Sequence, residues 1–309
     1  MTLHEAFIKF DDTIKISQNK RDSILRSRDA VRDKIRTYFK DELHENQPEF
    51  MRQGSFAINT ALNPLPDKEV DIDDGLYLNN VDENDESTWP TPKEIHSTII
   101  NALEGHTQDG CEDKTSCVRV IYRKNYHVDI PIYIMKGEHA LLANKKANKW
   151  EASDSKDFSD WYFSTRKNAQ TSRIVRYLKA WRDFQDFKFA SIELTILVAN
   201  HHIQNDDDEI ALKNALDAII SNLSWLKRID KPVSPFEDLW EELSEQEKNS
   251  RIKKLKDLRD DIENAINAPS THRASLILRE QFGERFPIIE DTNTDNVKTY
   301  SAGAKPWGL

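Results

Sequence analysis

Residues 53–78 read QGSFAINTALNPLPDKEVDIDDGLYL, and the order of their features decides the fold. The preceding PEFMRQ (48–53) is a short extended run that stops at Gly54-Ser55. A helix-compatible stretch follows, and the Pro-bearing NPLPDKE (63–69) leads into VDIDDGLYL. This punctuation predicts strand, Gly-Ser turn, helix, turn and strand. Side chains two apart on a strand share a face, so Asp71 and Asp73 project together while Val70 and Ile72 turn into the core. Asp74 points to the opposite side and is expected to stabilise a turn at Gly75. Gly54 permits a close backbone approach, and Ser55 at a helix start offers a hydroxyl and an N–H to a phosphate. Taken singly, the aspartates read equally as a solvated acidic cluster before a turn, and Ser55 as a helix cap. Their order along the chain is what joins them into a site.

Working outward, residues 17–40 place Ile24, Val31, Ile35 and Tyr38 at helical spacing, with Leu25 and Phe39 beside them, which predicts a long amphipathic helix. Its other face, with Arg21, Arg28, Asp29 and Arg32, reads as solvated or ion-paired surface. The acidic segment 81–92 reads as an exposed loop, and residues 93–104 as a helix with Ile95, Ile99, Ile100 and Leu103 on one side. Two strands are then predicted, VRVIYR (118–123) and HVDIPIYI (127–134). Asp129 is a lone carboxylate between Val128 and Ile130, and it completes a trio if its strand lies beside that of Asp71 and Asp73. Pro131 has no N–H for a ladder, so this strand is expected at a sheet edge, or paired only on the side Pro131 does not serve. After a loop rich in Lys, Ser and Asp, a helix over 171–185 carries Ile174, Leu178 and Trp181, and a more apolar one spans 190–202. The remainder is helical in pattern, with no convincing strand. Trp150 and Trp161 read as core or lobe-interface aromatics.

A chain of 309 residues is long enough for two lobes sharing a cleft. Its start lacks a secretory signal and no window suits a membrane span, so a cytoplasmic protein with no membrane partner is expected. Cys111 and Cys117 are too few for a disulfide framework and read as reduced thiols. The net charge of −10 argues against a long nucleic acid as partner, because that affinity comes largely from phosphate neutralisation. It leaves room for a nucleotide cleft that is locally positive once divalent ions sit in it.

Converging carboxylates suit a pair of metal ions about 3.5–4 Å apart, which stabilise the attacking and leaving oxygens of a phosphoryl-group displacement. On these residues, QGSFAINTALNPLPDKEVDIDDGLYL followed by HVDIPIY, the chain resembles the polymerase-beta-like nucleotidyltransferases. Within them it is most similar to the cGAS/DncV-like enzymes of bacterial anti-phage signalling, on the DncV branch. The resemblance implies an α+β fold, a palm of mixed sheet with helices packed on a C-terminal helical lobe, and an active site in the cleft. It divides the chain into a helical segment bridging the lobes (1–45), a nucleotidyltransferase core (46–165), a helical lobe (166–291) and a flexible tail (292–309). By resemblance, Asp71 and Asp73 bind both metals, Mg2+ with Mn2+ as an alternative. Asp129 joins the metal that activates the hydroxyl, and Gln53, Gly54 and Ser55 hold the donor triphosphate.

RIVRYLKAWRD (173–183) resembles a family helix that lends a lysine to the phosphates, here Lys179, and FASIELTILVAN (189–200) one that lends a serine, here Ser191. Arg173, Arg176 and Lys179 recur every three residues, either as a functional stripe or as a solvated flank, and Ser191 reads equally as a helix cap. Where relatives on the DncV branch can carry an aromatic near the base, this chain has Ile58. The end, YSAGAKPWGL (300–309), reads as a disordered terminus or as a tail conjugated to a partner, although Leu309 departs from tails ending in a small residue. The implied activity is synthesis of a cyclic dinucleotide, cGAMP-like, from ATP and GTP with pyrophosphate release, the product being recognised by a downstream effector. The alternatives are template-independent transfer to RNA or a small acceptor, and an inactive nucleotide-binding sensor.

Overall fold

The computed structural model describes residues 1–291 apart from 67, 80, 124–125 and 154. The conjugation-tail reading of 292–309 therefore lies outside the described residues. The chain opens with helices α1 (Leu3–Ile14) and α2 (Gln18–Asp41), separated by three residues. Thr2 closes a capping box on α1 and Ser17 caps α2, so the break between them is written in local hydrogen bonds. Strand β1 (Glu49–Arg52), the single-turn helix α3 (Gly54–Ala57) and strand β2 (Val70–Tyr77) follow in the expected order. Next come α4 (Pro92–Ala102), the hairpin β3 (Cys111–Asp113) with β4 (Val118–Tyr122), β5 (Tyr126–Ile130), β6 (Ile132–Lys136), β7 (His139–Asn144) and β8 (Lys149–Ala152). Helices α5 (Ser155–Thr165), α6 (Ala169–Phe184), α7 (Ser191–His201), α8 (Asp208–Leu226), α9 (Glu245–Ile266) and α10 (Thr271–Phe282) complete the described residues. It is an α+β fold with a mixed sheet and a helical lobe.

β2 is the axis of the sheet. It pairs in parallel with β5 along Val70–Asp73 and with β6 at Leu76–Tyr77, in one unbroken register, and antiparallel with β1 along Asp74–Tyr77. The edge-strand expectation for HVDIPIYI is overturned. β5 and β6 are internal, flanked by β2 and then by β4 and β7 respectively. Pro131 falls at the junction where that outer neighbour changes from β4 to β7, so its missing N–H interrupts neither ladder, and its carbonyl still accepts from Leu76 N at 2.9 Å. The turn expected at Gly75 is absent too: Gly75 lies inside β2. β7 and β8 stand in the segment that reads as a loop rich in Lys, Ser and Asp, and β3 in a stretch with no predicted element, since strands of three to six residues with mixed polarity leave little periodicity.

Two large apolar cores form, beside a small third cluster of Tyr77, Tyr133 and Ala140. The face of α2 carrying Ile24, Val31, Ile35 and Phe39 packs into the sheet core with Ile72, Val128 and Ile130. Phe39 takes the buried place and Tyr38 is only partly covered. α1 instead joins the helical lobe: Phe10 stacks on Tyr177 at 5.8 Å between ring centroids and meets Phe282 at 5.1 Å. Phe10→Ala is expected to destabilise the protein by about 3–5 kcal/mol, the usual range for a buried Phe. Urea denaturation checks this, and a loss under about 1 kcal/mol would show that α1 adds little to that core.

Candidate active site

The strand register creates the acidic cluster. Asp73 on β2 lies directly across from Asp129 on β5, and Asp71 across from His127, so alternation points all four side chains to one face. β1 pairs with β2 only as far as Asp74, and Gln53 N donates to Asp73 O at 3.0 Å as the chain turns away. Gly54 then takes φ +63°, and a Cβ there would lie 2.0 Å from Asp73 Oδ2. The close approach that only glycine allows is thus, in this structure, an approach to the Asp73 carboxylate. Ser55 follows on α3 and faces the cleft.

Charges around the trio are unevenly balanced. Arg119, opposite Asp129 on β4, donates Nε and NH2 to its two carboxylate oxygens at 2.7 and 2.8 Å, and its NH2 lies 3.7 Å from Asp71. His127 faces Asp71 through Nε2, and its Nδ1 lies 3.1 Å from Glu69 Oε2. The hydrogen bond from His127 holds the Asp71 carboxyl below the ordinary range. Burial lowers the affinity of His127 for a proton, but Asp71 and then Asp129 outweigh it and raise the imidazole. Asp73 has no side-chain hydrogen bond or ion pair among the described residues. Burial, reinforced by Asp129 and Asp71, pushes its carboxyl up to about 6.

The donor set fits a divalent cation. Asp71, His127 and Asp129 present ligand atoms within 4.8 Å of one another, and Asp73 adds a carboxylate with no counter-charge of its own. Asp74 is excluded from this set, as alternation requires. It is buried on the other face, where Arg32 of α2 grips it in a bidentate pair, Nε to Oδ2 at 2.6 Å. Its role is to tie α2 to the sheet, a correction to the turn role expected for it.

The remaining expected residues divide. Gln53 lies under the turn: its Nε2 donates to Tyr77 OH at 3.1 Å, and its Oε1 accepts from Tyr133 OH at 3.2 Å. Gly75 makes room for it, since a Cβ there would lie 2.2 Å from Gln53 Nε2. The Gln53 side chain thus supports the turn from beneath. Lys179 on α6 is buried and donates Nζ to Thr60 O at 2.8 Å. Burial, with help from Arg182, brings it down to about 7. Ser191 is the first residue of α7, whose cap is Ala190, so the capping alternative fails; its Oγ accepts from Arg182 at 3.0 Å. The rest of the basic stripe is internal: Arg173 pairs with Asp208, and Arg176 with Asp11 and the carbonyl of Asn59.

Gly54, Ser55, Asp71, Asp73, Lys179 and Ser191 all line one cavity of about 380 Å³ between the sheet and the helical lobe. Arg119 and His127 were missed in the sequence, although each left a signal. Arg119 is a charge inside the apolar run VRVIYR, and His127 shares the face of Asp129 two residues on. No described helix is long and apolar enough to cross a membrane.

Comparison with known proteins gives consistent relatives. Residues 48–133 match the family described as cyclic GMP-AMP synthase DncV-like, nucleotidyltransferase domain, and residues 169–295 match the cyclic GMP-AMP synthase C-terminal domain. Together these span more than half of the chain. A cyclic GMP-AMP synthase of Escherichia coli is 27% identical over 235 residues, covering 60% of this chain and 53% of that protein. One of Escherichia albertii is 30% identical over 200 residues, covering 58% and 44%. The chain spans about half the length of these curated relatives. The crystal structure of Vibrio cholerae DncV cyclic AMP-GMP synthase superposes with a TM-score of 0.72 at 21% identity, over 89% of this chain and 93% of that one.

Proposed function

The chain belongs to the DncV-like nucleotidyltransferase family, and on that premise we propose that it joins ATP and GTP into a cyclic dinucleotide, cGAMP-like, releasing pyrophosphate. One observation carries the reading: Asp71, Asp73, a Gly-Ser turn and a helical-lobe lysine and serine line a single cleft, and Asp129 stands across from Asp73 in the adjoining pocket that Gly54 and Asp73 share. The relatives named cyclic GMP-AMP synthase support it. So does the matched Vibrio cholerae structure, which is in complex with the linear intermediate 5' pppA(3',5')pG.

In this reading Ser55, Lys179 and Ser191 hold the donor's phosphates. Lys179 exchanges the Thr60 carbonyl for a phosphate oxygen, which offers its ammonium a full counter-charge. Gly54 keeps the turn close enough for Ser55 and Asp73 to face the same group, and Gln53 supports that turn from below. Asp71, Asp73 and Asp129 would hold two Mg2+ ions, with Mn2+ an alternative, whose charge stabilises the attacking and leaving oxygens. Arg119 is the counter-charge to Asp129 in their absence, and His127 is the imidazole facing Asp71. In each round a ribose hydroxyl bonds to an α-phosphorus, the bond from that phosphorus to the bridging oxygen breaks, and pyrophosphate leaves as the hydroxyl proton is lost. For the second round the linear product turns so that its own free hydroxyl faces its remaining triphosphate. Two lobes around one cleft leave an opening for that rotation.

The test is incubation with ATP, GTP and Mg2+, with and without RNA, and mass analysis of the products. A cyclic dinucleotide formed without RNA is expected. Extension of RNA with no cyclic product would favour the transfer alternative, and no metal-dependent pyrophosphate release would favour the sensor. Metal affinity carries a further expectation. Asp73 must lose its proton to bind a cation, so Mg2+ affinity is expected to be steady above about 6 and to fall roughly tenfold per pH unit below it. Calorimetric titration across pH 5–8 checks this, and a flat profile down to pH 5 would contradict it. The wider reading is a cytoplasmic enzyme whose product signals viral attack to a separate effector; loss of phage resistance in cells carrying an Asp71→Asn variant tests it.

A further inference from the structure

His127 stands between two carboxylates. It lies across from Asp71 in the strand register and shares a face with Asp129, and its side chain is only 5% exposed. Nδ1 lies 3.1 Å from Oε2 of Glu69, the residue before β2, and Nε2 is in contact with Asp71 Oδ1 on the other side of the ring. An ionised carboxylate only accepts, so the nitrogen beside Glu69 carries a hydrogen. A neutral imidazole has just one N–H to give. With that hydrogen directed at Glu69, Nε2 turns a lone pair toward Asp71, and two acceptors face each other unless a cation stands between them.

A second proton or a metal ion can take that place. The proton would serve Nε2 and Asp71 alone. A metal ion also takes in Asp129, which presents a ligand atom in the same group as Asp71 and His127, all within 4.8 Å of one another. Arg119 uses one lone pair on each Asp129 oxygen, and each oxygen keeps another. Metal-bound histidines almost always pass their other N–H to a carboxylate, a carbonyl or water, which fixes the ring and makes the ligating nitrogen more basic. Glu69 already occupies that position. Imidazole nitrogen suits first-row transition ions, whereas Mg2+ takes oxygen ligands.

We propose that His127 ligates one of the catalytic ions through Nε2, with Glu69 positioning the ring, and that this ion position prefers Mn2+ to Mg2+. The inference rests on the nucleotidyltransferase reading and adds a ligand and a metal to it. The test is electron spin-echo spectroscopy of the full chain with sub-stoichiometric Mn2+, its histidine rings carrying either 14N or 15N. A nitrogen modulation that changes with the label is expected. His4, Asp207 and Glu209 form another group with an imidazole, so H4A is the control: it should keep the modulation, and H127N should lose it. By calorimetry, H127N and E69Q should each weaken Mn2+ binding by at least about tenfold and leave Mg2+ within about threefold. Mn2+ bound to the unaltered chain without a histidine signal, or equal weakening of both ions by H127N in a protein with an unchanged melting profile, overturns the proposal alone. Failure to release pyrophosphate from ATP and GTP with either ion overturns the nucleotidyltransferase reading and this proposal with it.

Discussion

Asp73→Asn is expected to lower turnover by more than about 1000-fold while leaving the metal-free protein more stable above pH 6. The first effect follows from removing a cation ligand whose charge is needed at the displacement: about 4 kcal/mol of barrier corresponds to about three powers of ten. The second follows from the sign of the proton linkage. The folded carboxyl titrates near 6, above its ordinary 3.8, because it is buried and faces Asp129 and Asp71. The folded state therefore binds the proton more tightly than the unfolded chain, and stability falls as pH rises from about 4 to about 6. Asn removes that penalty, which is about 1–2 kcal/mol after allowing for partial solvent access. Below pH 4 the two proteins should unfold alike. Asp71→Asn supplies a contrast of opposite sign, because Asp71 is held below its ordinary range by His127 and its charge stabilises the fold at neutral pH. Chemical denaturation at pH 4 and pH 7.5 without metal, alongside pyrophosphate release with it, measures both. An Asp73→Asn protein with full activity sinks the site assignment, and one destabilised at pH 7.5 sinks the electrostatic account.

Gly54→Ala should be nearly as damaging, for a steric reason. The new Cβ would sit 2.0 Å from Asp73 Oδ2 on a backbone at φ +63°, a conformation that itself costs an alanine about 1–2 kcal/mol. The turn or the carboxylate must move, and a shift of about 1 Å at a reacting centre commonly costs about 100-fold in rate. Shortening the partner isolates the collision: adding Gly54→Ala to a protein already carrying Asp73→Ala should cost less stability than Gly54→Ala alone does in the unaltered protein. Additive losses in that double-mutant cycle would mean that the backbone strain, rather than the contact with Asp73, sets the requirement for glycine.

The sequence by itself determined the elements whose signal is local. Alternation in VDIDDG and HVDIPIY put Asp71, Asp73 and Asp129 on the faces opposite Val70, Ile72, Val128 and Ile130, because a strand's two faces are set by the backbone alone. Helical spacing exposed α2, α4, α6 and α7 for the same reason. Tertiary structure decided the partners. Pro131 reads as an edge marker until the change of neighbour from β4 to β7 is seen. Arg32 and Asp74 lie 42 residues apart in sequence and meet only because α2 crosses the sheet. The stripe Arg173, Arg176 and Lys179 is one periodic signal with three fates, two buried ion pairs and one cleft lysine, since the facing elements choose among equivalent cations. Local pattern says which way a side chain points; which charge stands opposite depends on long-range pairing, and that is where the three aspartates acquire the electrostatics of a site.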